Sequence, residues 1–524
     1  MKKVSTLSLM ICLLFWMTPA SAQKVQRGAF VIHEYHHDVS PPARDLVSSD
    51  VFIGNRTALL SPTRILGAAA NTSRDPVAQH EILPDVGTTN LVNIDGIPHT
   101  GFAPPDTNAS VGGTQVVETV NLNYAVYDKT TGAQIKAPTA ISSLFSGFGG
   151  VCQTGSTSDP VVLWDKAASR WVISILAFTG NFTSTECYAV STSTDATGTY
   201  NRYGFTFANG LLADFPKTGV WSDAYYLTFN GFQNAATFVG AEPCALDRTK
   251  MLAGAAATAV CFAPNANNYS LLPSDIDGLT PPPAGAPNHL YQLDPVSFTK
   301  LDQFDFHVDF VTPPNSTFTG PIGVTIPSWT QICVVQGRAC IPEPSPGEPL
   351  DGRADKLVFR LAYRNFGDHE ALVVNHAVKP STGSATAATR WYEFRSTPPG
   401  GAFTMFQAGT FQHPKISVWN GSIAMDKLGD IALGLSASSS TVDPSVVYTG
   451  RKPTDAAGKM EAPFIVVKGT GVQTATQNRW GDYSTMSIDP ADDCTFWFAQ
   501  EYIKTTGSFN WNTRLNSFKF TGCQ

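Results

Sequence analysis

The sequence predicts an all-β protein, a seven-bladed β-propeller with an irregular N-terminal arm. Three observations carry the prediction. The apolar runs are short and strand-like. The chain is rich in turn formers, with 43 Gly and 36 Pro. A phrase that opens on a Pro or Asp turn signal and continues into an alternating segment recurs along most of its length. No long segment has helical periodicity, and the Ala-rich stretch from Ala253 to Ala259 is the best helix candidate.

The strand signal is plainest at Trp171–Leu176, Lys356–Tyr363 and Thr495–Tyr502. In the second, Leu357, Phe359, Leu361 and Tyr363 fall on one face, with Val358, Arg360, Ala362 and Arg364 on the other. A period of two is that of a strand. The repeat is plainest in Phe215–Asp223, which is echoed by His413–Gly421; both contain P-K-x-x-V-W. Looser echoes are Pro105–Gly112, Asp159–Asp165 and Asp482–Asp489. Units starting at 106, 159, 216, 414 and 482 leave one long interval, which two more starts near His289 and Lys356 divide into three. Seven units of roughly 55 to 70 residues are each long enough for a four-stranded blade. A pair of β-sandwiches is the rival architecture, but it gives no reason for a repeat of this period.

The domain plan follows. Residues 1–22 form a signal peptide, 23–98 an N-terminal arm lacking the repeat, and 99–524 the propeller. Lys2 and Lys3, the apolar run Leu7–Met17 and the small-residue site Ala20-Ser21-Ala22 are in the order of a cleavable secretory signal. The run is shorter than the ~20 residues needed to span a bilayer. Pro19 and the cleavage site argue against an uncleaved anchor, and no later stretch is long and apolar enough to span. The mature chain is expected to be secreted, extracellular or periplasmic, and monomeric. Losing Lys2 and Lys3 takes the formal charge from −7 to about −9. An acidic chain with 15% charged residues is a poor partner for nucleic acid or an anionic membrane.

Cleavage also removes Cys12 and leaves eight cysteines, an even set in an oxidising compartment. They fall as neighbours: Cys152/Cys187, Cys244/Cys261, Cys333/Cys340 and Cys494/Cys523. Nearest-neighbour disulfides are expected, because each pair brackets one strand-turn-strand unit. Free thiols or metal ligation are the other readings, and the absence of a C-x-x-C spacing argues against a zinc site of that type.

Four phrases carry a resemblance. PPDTN at Pro104–Asn108, DPVVLWD with RW at Asp159–Trp171, DFPKTGVWSDAYY at Asp214–Tyr226 and RWGDYSTMSIDP at Arg479–Pro490 resemble those of exported bacterial propeller-like proteins. The resemblance covers roughly residues 100–524. It implies the fold and the compartment and no defined reaction, so no catalytic residue is carried over from it.

Among motifs, His33-Glu34-Tyr35-His36-His37 satisfies H-E-x-x-H. A zinc protease needs both histidines on one face of a stable helix. Here Val31, Ile32 and Tyr35 favour a strand and Pro41-Pro42 stop any helix, so adventitious metal binding is the more economical reading. There is no G-x-S-x-G, P-loop, dinucleotide fingerprint or EF-hand loop. No cofactor is expected, except that Asp489, Asp492 and Asp493 could ligate calcium; a solvated turn around Pro490 is the alternative.

The repeat makes the best argument for a site. Inner strands of a propeller run the same way along the channel, so equivalent positions converge at one mouth. Asp106, Asp159, Asp223 and Asp482 are the candidate carboxylates for general acid/base work on a glycoside. Lys217, Lys415 and Arg479 could hold an anionic sugar, and Trp480 could stack on one, as could Trp221 and Trp419. The alternative is structural: each Asp caps a turn or ties one blade to the next, and the tryptophans pack between blades. The expected function is recognition of an extracellular ligand, a glycan or a protein, at the central face, with or without hydrolysis or lysis. Its counterpart is an adhesion or scaffold propeller.

Overall fold

The computed structural model describes residues 25–26, 28–47, 56–57, 74–334, 337–381 and 384–524. The signal segment lies outside the described residues. Seven innermost strands organise the fold: β1 (Asn108–Val111), β2 (Ser156–Asp165), β3 (Leu211–Val220), β4 (Leu272–Asp277), β5 (Val358–Asn365), β6 (Ser417–Met425) and β7 (Thr485–Ile488). Each starts an antiparallel four-stranded meander. Neighbouring inner strands touch in cyclic order, from β1 through β7 and back to β1. At one junction they hydrogen-bond directly: β4 pairs with β5 in parallel, Ser274 opposite Leu361. The molecule is therefore an all-β propeller, and its inner strands line one channel.

The unit starts read from the sequence fall beside β1, β2, β3, β5, β6 and β7. The start near His289 is displaced. Asn288–Leu293 is the second strand of the fourth unit, and its inner strand is Leu272–Asp277. The sequence Leu-Pro-Ser-Asp-Ile-Asp looks too polar for a buried strand. Its Ser274, Asp275 and Asp277 are nevertheless buried, because Asp275 and Asp277 pair with Arg360 and Ser274 Oγ donates to the His289 carbonyl. The helix expected at Ala253–Ala259 lies earlier, at Arg248–Ala253. Asp247 caps it by accepting the Lys250 N–H, and left-handed Gly254 (φ 66°) ends it. Chain that was expected to continue the helix becomes the strand Thr258–Cys261.

The N-terminal arm is not a separate body. Val25–Gln26, Phe30–His33 and His36–Val39 add fifth strands to the fourth, third and second units, capping edges that would otherwise stay open. Thr88–Pro98 then becomes the outer strand of the last unit, antiparallel to Trp511–Phe520. The start and the end of the chain thus close one sheet, and the boundary drawn at residue 98 cuts through the propeller. His33 and His37 stand on different strands, opposite Thr258 and Tyr203. Without a shared helical face they cannot form the H-E-x-x-H zinc site. His37 Nδ1 instead contacts Glu34 at 3.1 Å.

Packing between units is aromatic and aliphatic. Trp171, Trp221, Trp391, Trp419, Trp480 and Trp511 are all fully buried, at ~1.5–3 kcal/mol for each large side chain removed from water. All four nearest-neighbour disulfides form: Cys152–Cys187, Cys244–Cys261, Cys333–Cys340 and Cys494–Cys523. Among the described residues no helix is long and apolar enough to cross a membrane.

Candidate functional site at the mouth where the inner strands begin

The inner strands share a backbone device. Asp106, Asp159, Phe215, Ser270 and Asn420 all adopt left-handed φ, between 48° and 57°. In β2, β3 and β6 this coincides with a shift in the ladder, at Ser158/Val161, Asp214/Lys217 and Trp419/Ser422. A bulge of this kind turns one peptide and one side chain out of the ladder. Left-handed non-glycine residues cost about 1–3 kcal/mol each and persist only where the surroundings hold them.

Those surroundings are the neighbouring units. The Asp159 N–H donates to Asn121 Oδ1 at 2.8 Å. The Phe215 N–H donates to Asp159 Oδ2 at 3.1 Å. The Ser270 N–H donates to Asn230 Oδ1 at 2.7 Å. The Asp482 N–H donates to Asp106 Oδ1 at 2.7 Å, which closes the ring between the last unit and the first. At these four junctions one unit supplies the acceptor for a backbone donor of its neighbour.

Asp106, Asp159, Lys217, Arg479 and Asp482 converge as the repeat predicts, and all five are buried or nearly so. Three basic neighbours were not foreseen. Arg353 pairs with Asp482 at 2.9 Å and with Asp351 at 3.3 Å. Lys356 lies 3.7 Å from Asp355 and 4.4 Å from the Phe215 ring. Arg360 lies lower in the channel, beside Asp275 and Asp277. Lys356 stands at a unit start, which the repeat marks, whereas Arg353 lies in the loop before it and only its contacts reveal it. Lys217 Nζ donates to the Pro216 carbonyl at 2.7 Å between the rings of Phe215 and Tyr483, 3.7 and 3.8 Å from their centres.

Electrostatics sort these groups. Burial, with the carboxylates of Asp482 and Asp159 nearby, pushes Asp106 well above the usual range. Burial also opposes ionisation of Asp482, but Arg353 and Arg479 outweigh it and hold that carboxyl far below its ordinary value. Burial lowers the Lys217 ammonium to about 8, against the pull of Asp159 and Asp106. Behind the ring, burial raises Glu186 to about 8 and drives Glu501, which accepts the Gly481 N–H, well above its usual range. Neither glutamate belongs to a motif. Arg353 Nε and Arg479 Nε and Nη1 are buried with no acceptor among the described residues.

Other expected site residues lie elsewhere. Asp223 sits in the exposed turn that ends β3, at the opposite mouth, where Tyr226 Oη contacts it at 3.3 Å. Lys415 is exposed on the loop before β6, its N–H donated to His413 Nδ1. Trp480 is fully buried, packs on Trp419 and donates Nε1 to Ser436 Oγ at 3.0 Å, so it is core and offers no stacking face. Trp419 and Trp221 likewise give their Nε1 to the carbonyls of Asp351 and Ala286. The expected calcium carboxylates are each engaged: Asp489 with Lys129 at 2.9 Å, Asp492 with the N–H groups of Cys494 and Thr495, and Asp493 with Arg364 at 2.7 Å.

The ring carboxylates expected to act as an acid/base pair across an open funnel are each engaged. Asp106 accepts from Asn121 Nδ2 (2.9 Å) and Asp482 N. Asp159 accepts from Ser158 Oγ (2.5 Å) and Phe215 N. Asp482 is held by two guanidiniums. At mid-height Arg360 reaches Asp275 at 2.5 Å, Asp277 at 2.8 Å and the Met486 carbonyl at 3.1 Å. Lys166 joins Asp277 at 2.6 Å. The cavity beside this network measures about 10 Å³, room for one water.

No protein-family model matches the chain, and no curated relative does. Solved structures similar to it include an α-L-arabinanase of Penicillium chrysogenum, at 9% identity, covering 83% of this chain and 100% of that one with a TM-score of 0.35. An α-L-arabinofuranosidase of Fusarium graminearum is 9% identical, covering 83% and 99%, with a TM-score of 0.37. A Hadza microbial sialidase is 8% identical, covering 80% and 66%, also at 0.37. Likeness at such TM-scores carries no argument about the chemistry of this chain.

Proposed function

We propose that the mature, exported chain recognises an extracellular glycan bearing carboxylates, at the mouth where β1 to β7 begin, and that it binds without turnover. The observation that supports this most is the pair of buried guanidiniums, Arg353 and Arg479, 4% and 3% exposed, each retaining donor atoms with no acceptor among the described residues. Buried donors left unpaired cost about 1–3 kcal/mol apiece, and a carboxylate that satisfied them would recover that cost through charge-assisted, directional bonds. Lys217 and Lys356 add positive charge beside them.

Binding is favoured over hydrolysis because Asp106, Asp159 and Asp482 already have partners in the ring. The four disulfides support an oxidising compartment. The test is a glycan array run beside a polysaccharide hydrolysis panel on the mature protein. Binding confined to acidic glycans, with no reducing ends released, is the expected result. Hydrolysis of any panel member would overturn the non-catalytic reading, and a blank array would overturn the glycan.

A further inference from the structure

The opposite mouth holds a second concavity with different chemistry. A cleft of about 220 Å³ opens where β2, β3 and β4 end. Val220, Trp221, Ile276, Leu279 and Pro281 supply an apolar wall. The polar side is the Asp165–Arg248 pair with Ser222 and Thr280. Sites for small molecules combine these two elements, an apolar lining with a few fixed polar groups. The volume falls below the range of about 300–1,000 Å³ typical of drug-sized ligands, so the occupant is limited to roughly one ring.

Charge decides its class. Arg248 grips Asp165 with two contacts, Nε to Oδ2 at 2.6 Å and Nη2 to Oδ1 at 2.8 Å. Asp165 accepts further from Tyr225 Oη at 2.9 Å and the Ala168 N–H at 3.0 Å, which fills it. Lys166 is bound to Asp277. Every charge on the cleft thus has a partner within the protein. What remains is one loosely used guanidinium nitrogen, Arg248 Nη1, 3.4 Å from the Ser222 carbonyl, beside two hydroxyls and an apolar wall.

We propose that this cleft binds one neutral sugar residue, its C–H face on Leu279 and Pro281 and a hydroxyl on Arg248 Nη1. The proposal does not depend on the acidic-glycan reading of the other mouth. Leu279 lines the cleft and is 76% exposed, so Leu279→Trp adds bulk at its rim without touching the core. The probes are the methyl glycosides of glucose, galactose and mannose, with methyl glucuronide as the charged comparison, titrated into the mature protein by saturation-transfer NMR. At least one neutral glycoside should bind, and Leu279→Trp should weaken it roughly tenfold or more, about 1.4 kcal/mol. Arg479→Lys, at the far mouth, should leave that binding unchanged. Silence from all neutral probes, unchanged affinity in Leu279→Trp, or preference for the glucuronide would each refute it. Loss in Arg479→Lys alone would assign the binding to the other mouth.

Discussion

Replacing Asp159 by alanine tests whether the ring of carboxylates stitches units together. Asp159 is 4% exposed and accepts the Phe215 N–H at 3.1 Å across the junction of the second and third units. Phe215 is itself left-handed, at φ 57°, and buried. Alanine removes a hydrogen bond to a charged acceptor, worth about 1.5–3 kcal/mol, and strands a buried N–H at a cost of about 1–3 kcal/mol. The backbone strain at Phe215 then has nothing to offset it. Together these predict a loss of ~3–5 kcal/mol. Asp159→Asn keeps an oxygen for the Phe215 N–H and should lose only ~1–2 kcal/mol. Urea unfolding at neutral pH, with the disulfides intact, measures both. If Asp159→Ala falls within ~1 kcal/mol of the parent, or matches Asp159→Asn, the stitching argument is wrong.

Stability should fall as pH rises through neutrality. Burial raises Glu118 to about 7 and Glu186 and Glu242 to about 8, from 4.5. The folded state keeps protons that the unfolded chain releases, so their contribution is whole below about 4.5 and lost by about 8; Glu186→Gln should flatten the dependence of unfolding free energy on pH, read from urea titrations, by up to ~1.4 kcal/mol per unit. Asp277 and Asp482 act in the opposite sense, because their folded-state values are depressed; what they contribute is present above about 3.8 and lost as the pH falls further, which places the optimum at mildly acidic pH. Removing Cys494–Cys523, which closes a separation of 29 residues, should cost ~3–4 kcal/mol in denaturant titrations. A chain beginning at His99 lacks the strand that closes the last unit and should lose near-UV circular dichroism and associate through the bared edge of Trp511–Phe520; native-like melting would show that closure is dispensable.

Much of this architecture was readable from residue pattern alone, because blade starts need turn formers before an alternating strand, and Pro160, Pro216 and Pro414 mark them. The cysteine pairs were readable because each spans one local loop. The fourth inner strand is hidden by its polarity, because its carboxylates pair with the buried side chains of Arg360 and Lys166. The arm was misread because fifth strands as short as Phe30–His33 carry no periodicity, and because Thr88–Pro98 finds its partner more than four hundred residues away, at Trp511–Phe520. At the site, the repeat predicted the convergence of Asp106, Asp159, Lys217 and Asp482. It erred at Asp223 and Lys415 because equal positions in a written phrase need not lie at one end of a strand. Trp480 was misassigned because an aromatic beside charged residues reads the same whether it faces ligand or core. Arg353 and Glu501 could be found only from the three-dimensional contacts.

The central claim is that the guanidiniums at the leading mouth receive a ligand carboxylate. Calorimetric titration of the mature protein with a uronic-acid oligosaccharide and with its neutral counterpart tests this most directly, at low and high salt. The account predicts binding of the acidic ligand alone, weakened by salt and reduced at least tenfold in Arg479→Lys, which keeps the charge but removes the fork of donors. Equal affinity for the two ligands, or an unchanged affinity in a folded Arg479→Lys protein, would contradict it.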